Sequence, residues 1–365
     1  MAQFSQIFKD DTRLGYKIPA SEYLTSGKYP IIDQGKHLIS GYRNEKNGLY
    51  SDIPVIIFGD HTRILKYINT PFFIGADGVK ILKPKINDCN YKYLYYVLCN
   101  IKIPNTGYNR HFKWIKEVNI DLPELNIQNK VVNTLDRINY LVLFRKQQLS
   151  KLDQLVKSRF IEMFGDPVEN PHHWTISRLE HSIKFITSGS RGWSQYFSND
   201  GEFFITIKNV KNSKIIFNEV QYIHPPKNAE AARTKVQEDD LLISITADLG
   251  RTGVVTKFIA EKGAYINQHL TCIRLDKSRL LPLFVSYFLE SPAGKKQFSQ
   301  KNQTGVKAGL NFDAIKSLQI FTPPLSLQEQ FIAFVQQVDK AKSSVKQSLE
   351  KLETLKKSLM QEYFG

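Results

Sequence analysis

Apolar residues recur along this chain in two rhythms. From position 131 they fall on alternating steps of four and three: Val131, Leu135, Ile138, Val142, Leu149, Leu152 and Val156, with Arg145 taking one intervening place. A second run repeats the rhythm at Phe331, Val335, Val338, Val345, Leu349 and Leu352, interrupted by Lys342. A mean step of 3.5 residues held over about four heptads predicts a long helix with a coiled-coil seam. Gly165 and Pro167 supply a stop for the first helix. About 36 residues at 1.5 Å each give a rod of roughly 54 Å. One apolar stripe needs a partner, and the other helix is the simplest one. Antiparallel pairing would let each helix end where the next globular segment begins, with near two-fold symmetry. Packing of each helix on its own domain is the alternative.

The two runs belong to a longer duplication. Residues 112–165 match residues 312–365 at a constant shift of 200, with 18 identities in 54 positions. Phe112, Ile115, Pro123, Gln128, Leu149, Leu152, Phe164 and Gly165 all have identical counterparts 200 positions on. In each copy a proline-marked break, DLPEL at 121–125 or TPPLSL at 322–327, precedes the helical pattern.

The second rhythm fills the rest of the chain, residues 1–124 and about 170–323. Short β-rich runs punctuated by Gly and Asp appear in the first segment as YPIIDQG, IPVIIFGD and FFIGADGVKIL. In the second they are FFITIKNV, KIIFNEVQYI, DLLISITAD and TGVVTKF. Each segment then shows a short helical pattern (YKYLYYVLCN at 91–100, LPLFVSYFLES at 281–291) and a Thr-Gly loop, Asn105-Thr106-Gly107 or Gln303-Thr304-Gly305. The expected fold class is therefore α+β: two strand-rich domains of one kind, separated by two long helices that pair as an antiparallel coiled coil.

Composition narrows the partner. Fifty Lys and Arg against 35 Asp and Glu leave a formal charge of +15, which draws polyanions, nucleic acid first among them. An anionic membrane surface or an acidic protein would satisfy the charge equally. Cys89, Cys99 and Cys272 are odd in number and widely spaced, so no disulfide framework is expected and a reducing cytoplasm suits the chain. The opening MAQFSQIFKDD has neither the basic region nor the apolar core of a secretory leader. No apolar run approaches the ~20 residues that cross a bilayer.

Candidate DNA contacts gather in turn-like places. Tyr108, Asn109, Arg110 and Lys113 fall within six residues, and Lys36, Arg43 and Arg63 lie in other basic or aromatic clusters. The second segment offers Arg191 and Trp193 in a glycine-rich loop, then Lys208, Asn209, Lys211, Arg251 and Lys307. Arg and Lys suit guanine edges and phosphates, while Asn and Gln suit adenine. Most such contacts position a protein without specifying sequence, and a solvated surface side chain is the plain alternative for each. Trp residues are more often packed than presented to a base.

LSKLDQLVKSRFIEMFGDP (149–167) and LEKLETLKKSLMQEYFG (349–365) resemble the helical conserved regions of type I restriction–modification specificity subunits. TSGSRGWSQYF (187–197), LLISITADLGRTGVV (241–255), INQHLTCIRL (266–275) and TGVKAGLNFDAIKSLQIFTPPLSLQEQ (304–330) resemble that family's target-recognition domains. The resemblance covers nearly the whole chain and rests on the combination. It implies target-recognition domains at 1–124 and 167–323 with conserved helical spacers at 125–166 and 324–365. Each domain would read one half of a bipartite site in double-stranded DNA, and the helices would fix the gap. Two methyltransferase subunits would dock on the helices and methylate adenine with S-adenosylmethionine. Two motor-nuclease subunits, using ATP and magnesium, would complete a restriction complex. The chain itself would carry no cofactor, metal or catalytic residue and would meet no membrane. One departure stands out: the first domain lacks a counterpart to the Trp-led NPHHW segment (170–174). Its first strand is therefore expected to be absent or completed by the C-terminal helix.

The motifs of chemistry agree with this reading. The Pro-Pro pairs, His-Pro-Pro-Lys (224–227) and Thr-Pro-Pro-Leu (322–325), lack the amide and aromatic flanks of an amino-methyltransferase loop. No Gly-x-x-x-x-Gly-Lys-Ser/Thr nucleotide loop is present, and the histidines lack metal-ligand spacing. A divergent DNA-modifying enzyme and a basic coiled-coil scaffold are the alternatives.

Overall fold

The computed structural model describes residues 1–75, 77–107, 109–217, 219–302 and 309–365. The chain forms two compact units, Met1–Gln147 with Val345–Gly365, and Gln148–Ser344.

In the first unit the order is β1 (Ala2–Gln3), α1 (Phe4–Ile7), β2 (Phe8–Asp10), β3 (Tyr29–Ile32), β4 (Gly41–Arg43), β5 (Val55–Gly59), β6 (Leu65–Ile68), β7 (Phe73–Ile74) and β8 (Val79–Pro84). Then follow α2 (Tyr91–Asn100), α3 (Phe112–Lys116), β9 (Asn119–Ile120) and the start of α4 (Leu125–Phe164). One sheet has the antiparallel order β2-β8-β5-β6, and a second runs β4-β3-β7 with β3 and β7 parallel. The unbroken apolar run of β5 is explained by burial on both faces. Ile56 and Phe58 pack with Leu94 and Leu98 of α2 and Ile115 of α3. Val55 and Ile57, on the opposite face, pack with Ile32 and Ile74 of the second sheet.

The second unit repeats this plan with additions. Its elements are β10 (Ile176–Arg178), β11 (Ile183–Ser188), β12 (Phe197–Ser198), β13 (Glu202–Ile205), β14 (Val210–Lys211), β15 (Lys214–Ile215), β16 (Gln221–Ile223), α5 (Ala229–Thr234), β17 (Leu241–Ser244) and β18 (Thr252–Val254). They continue as α6 (Lys257–Lys262), β19 (Ala264–Ile266), β20 (Leu270–Leu275), α7 (Pro282–Glu290), α8 (Pro292–Lys301), α9 (Phe312–Lys316), β21 (Gln319–Phe321) and α10 (Leu325–Phe364). The order β11-β20-β17-β18 reproduces β2-β8-β5-β6, and the parallel pair β13–β19 reproduces β3–β7. Alternation sorts the central strand again. Leu241 and Ile243 face the helices, and Leu242 faces the second sheet.

Of the two alternatives left for the first strand of the first domain, absence or completion by the C-terminal helix, neither is found: the strand is present and pairs with β9. Ala2–Gln3 pairs antiparallel with Asn119–Ile120, as Ile176–Arg178 pairs with Gln319–Phe321. Two residues suffice because the ladder only staples the segment that leads into the spacer.

Each of the two long helices has 40 residues, and the two meet antiparallel inside each unit. In the first unit Val131, Val132 and Leu135 of α4 pack with Leu359, Met360, Tyr363 and Phe364 of α10, and Lys146 pairs with Glu353 at 2.8 Å. In the second, Phe160 of α4 meets Phe331 of α10 at 5.4 Å between ring centroids, and Lys342 pairs with Asp153. The seam is not satisfied by the partner helix alone. Tyr93 and Tyr96 of α2 cover Val131 and Leu135, and Phe284 of α7 stacks on Phe160. Leu135, Ile138, Val335 and Val338 are buried, while Val142, Leu149, Leu152, Leu349 and Leu352 are half-buried. Among the described residues no helix is long and apolar enough to cross a membrane.

Candidate nucleic-acid interface

The loops of the first unit converge at the ends of β5 and β8. Gln34, after β3, donates from Nε2 to the Asp77 carbonyl at 2.8 Å, and its Oε1 accepts the His61 N–H at 3.2 Å. The Thr62 hydroxyl donates to the Gln34 carbonyl at 2.6 Å. Gly78 sits where they meet with φ +84°, and a Cβ there would come within 2.7 Å of the His61 ring. Residues 103–107 and 111–112 are tied to the same place. His111 donates its N–H (2.8 Å) and Nδ1 (2.9 Å) to the Asp60 carbonyl, and Asp60 Oδ1 accepts the Phe112 N–H at 2.7 Å. Because a carbonyl only accepts, the ring proton is on Nδ1, which leaves Nε2 to meet the Thr106 hydroxyl at 3.3 Å. Arg63 adds a bond from Nη1 to the Ile103 carbonyl.

The second unit converges in the same way. Ser190 donates its N–H to the Ile266 carbonyl at 2.9 Å and accepts the Gln268 N–H at 3.1 Å. Gly189 lies so close to this strand end that a Cβ would fall 2.1 Å from the Ile266 carbonyl oxygen. Leu310 donates to the Ile245 carbonyl at 2.9 Å, which ties the start of the repeat to the end of β17, as His111 is tied to Asp60.

The candidate residues separate into three groups. Lys36, Asn109, Arg110, Lys113, Arg191, Lys208 and Lys211 are exposed. Arg110 lies near Asp77, whose carboxyl is held below its usual range chiefly by its bond to Lys17 and also by Arg110. Arg43, Arg63 and Arg251 have local work. Arg43 pairs with Glu45 at 3.1 Å and lies over the Phe73 and Tyr16 rings, and Arg251 pairs with Asp248 across the β17–β18 turn.

Trp193 and Asn209 are buried and form the third group. The Trp193 ring stacks on Phe204 and donates Nε1–H to Glu230 at 3.1 Å. Asn209 closes a turn, accepting from the Thr206 N–H and donating to the Ile216 carbonyl. Both were expected as DNA contacts, and in the structure their polar atoms and ring faces are engaged within the domain. Tyr108 and Lys307 lie outside the described residues, as does Gln303-Thr304-Gly305. Sequence reasoning did not single out Gln34, Asp77, Thr246, Gln268 and His269, since only the fold brings these groups together at strand ends. Among the described residues no group of three or more His, Cys, Asp or Glu is placed to hold a metal ion.

A duplicated sheet frame with polar loops gathered at matching strand ends, carried on paired helices, defines a two-domain recognition subunit. The chain belongs to the type I restriction modification DNA specificity domain family, which matches residues 5–154 and 195–354. It is 22% identical over 369 residues to the EcoR124I/EcoR124II specificity subunit of Escherichia coli, covering 94% of this chain and 87% of that one. It is 23% identical over 198 residues to a putative MjaX specificity subunit of Methanocaldococcus jannaschii, covering 54% and 46%. The fold is shared with the S subunit of the M. genitalium type I system at a TM-score of 0.61 and 15% identity, over 100% of this chain and 95% of that one. A chain from a study of assembly and conformational transition in the type I system matches at 0.57 and 17%, over 100% and 96%. As a member of this family the chain supplies DNA specificity to a restriction–modification complex, and catalysis belongs to other subunits.

Proposed function

We propose that residues 1–124 and 167–323 are two target-recognition domains, each reading one half of a split site in double-stranded DNA. The observation that carries this reading is the repeated frame with unlike side chains at equivalent strand ends. The exposed Lys36, Asn109, Arg110 and Lys113 serve one half-site, and Arg191, Lys208 and Lys211 the other. Most of these meet phosphates, and a few discriminate bases. Arg43, Arg63 and Arg251 hold the loops that present them. Segments 125–166 and 324–365 set the unspecific gap and dock two methyltransferase subunits, with Leu135, Ile138, Val142, Leu149, Leu152, Val335, Val338, Leu349 and Leu352 as their seam. The partners bring S-adenosylmethionine, and ATP with magnesium where motor-nuclease subunits join, in the cytoplasm. Arg110→Ala and Arg191→Ala test the division of labour in the complex with its methyltransferase, by mapping methylated adenines. Each variant should relax one half-site only, and relaxation of both halves by either would contradict modular reading.

A further inference from the structure

Apart from its basic residues, the strand-end cluster of the second unit holds a hydrogen-bonded relay with capacity that no described residue uses. Thr246 Oγ1 lies 2.7 Å from His269 Nδ1, and His269 Nε2 lies 3.3 Å from Gln268 Nε2. An amide nitrogen only donates, so His269 Nε2 accepts. In the neutral ring the proton is then on Nδ1, which donates to Thr246. One hydrogen of the Gln268 amide is committed to the histidine. Among the described residues none takes its second hydrogen or its Oε1. All three side chains are half-buried, so the relay is backed by protein and, among the described residues, keeps an open edge. The Gln268 N–H bond to the Ser190 carbonyl sets it beside the exposed Arg191.

An open amide edge offers one donor and one acceptor together, the complement of the adenine N7 and N6 groups in the major groove. The first unit has a different group at the same place. Val79 and Leu270 end equivalent ladders, opposite Gly59 and Ser244, and Asp77 and Gln268 each stand two residues before them. Asp77 is a carboxylate paired with Lys17, and it presents acceptors alone. We propose that Gln268 is a base-reading side chain of the second domain, specific for adenine, with His269 and Thr246 as positioning residues that aim its amide. The Asp77 counterpart makes the two half-sites differ at this place.

This proposal rests on half-site reading, so the experiment begins with the native complex. The chain is co-expressed with its methyltransferase and its methylated motif is mapped; absence of a split motif would remove the premise and the proposal with it. Given a split motif, Gln268→Ala should turn one adenine position in one half-site degenerate, leaving the other half and the gap unchanged. Duplexes altered at that position should be disfavoured about tenfold or more by the native complex and hardly at all by the variant. This binding comparison also decides the matter if the variant complex no longer methylates. An unchanged motif, equal discrimination by both complexes, or degeneracy spread over both halves would overturn the proposal. His269→Ala should weaken discrimination at the same position and add nothing to Gln268→Ala in the double variant, since an aiming residue acts only through what it aims. Additive losses would overturn the positioning role.

Discussion

Chemistry at a surface depends on which side chains are already engaged, and residue type alone does not reveal this. Arg43 and Arg110 look alike in sequence, yet Arg43 is held by Glu45 and two rings while Arg110 is exposed. The partners Tyr16 and Phe73 lie 27 and 30 positions from Arg43 in the chain, too far for local reading to find them. Trp193 was legible as an aromatic in a glycine-rich loop, but its burial depends on Phe204 and Tyr265, which only the fold brings together. Trp193→Ala should therefore lower stability by about 3–5 kcal/mol, read by denaturant unfolding, without changing the bases recognised. A change in specificity at unchanged stability would show the ring to be a contact after all. Asp276 offers a smaller test through pH. Its half-buried carboxyl is lowered to about 2, chiefly by its bond to Lys184 and then by Ser278. A lowered folded pKa stabilises above the unfolded value of about 4, so this contribution should fade as pH drops from about 4 to 2. Asp276→Asn should flatten the unfolding curve in that window, and an unchanged curve would contradict the assignment.

The long helices were legible because their period is sustained and ends at glycine and proline. Their surroundings were less so. The sequence pattern identifies a stripe but not how many neighbours share it, and α2 and α7 take part of what the partner helix was expected to cover. In α2, Tyr93 and Tyr96 turn to the spacer while Leu94 and Leu98 turn to the sheet, two faces that hydrophobicity does not tell apart. The duplication shows a shared joint as well. Gln128 accepts the Asn90 N–H at 2.9 Å and donates to the Pro123 carbonyl at 2.7 Å. Gln328, 200 positions on, accepts the Leu281 N–H at 2.9 Å and donates to the Pro323 carbonyl at 2.9 Å. Both are buried, so the identity noted in the repeat reflects one joint between a domain helix and its spacer. Gln328→Leu should orphan the half-buried Leu281 N–H and at least one carbonyl, at a cost of roughly 1–3 kcal/mol for each. A urea midpoint that does not move would remove the joint from the account.

At the scale of the molecule, the sequence disclosed the duplication and the two strand-rich segments. It left the start of the chain open because a two-residue strand such as Ala2–Gln3 carries no periodic signal. The same frame with unlike strand ends suits two related recognition tasks. Adding four residues to the middle of both long helices lengthens each by about 6 Å. The gap between half-sites should then grow by about two base pairs at roughly 3.4 Å each, with the half-sites unchanged. An unaltered gap in a methylating complex would contradict the ruler role. The central claim is met most directly by co-expressing the chain with its methyltransferase and sequencing single DNA molecules for methylated adenine. One split motif is expected, two short specific halves around a fixed unspecific gap. Methylation at a single uninterrupted motif, or at adenines without regard to sequence, would contradict it.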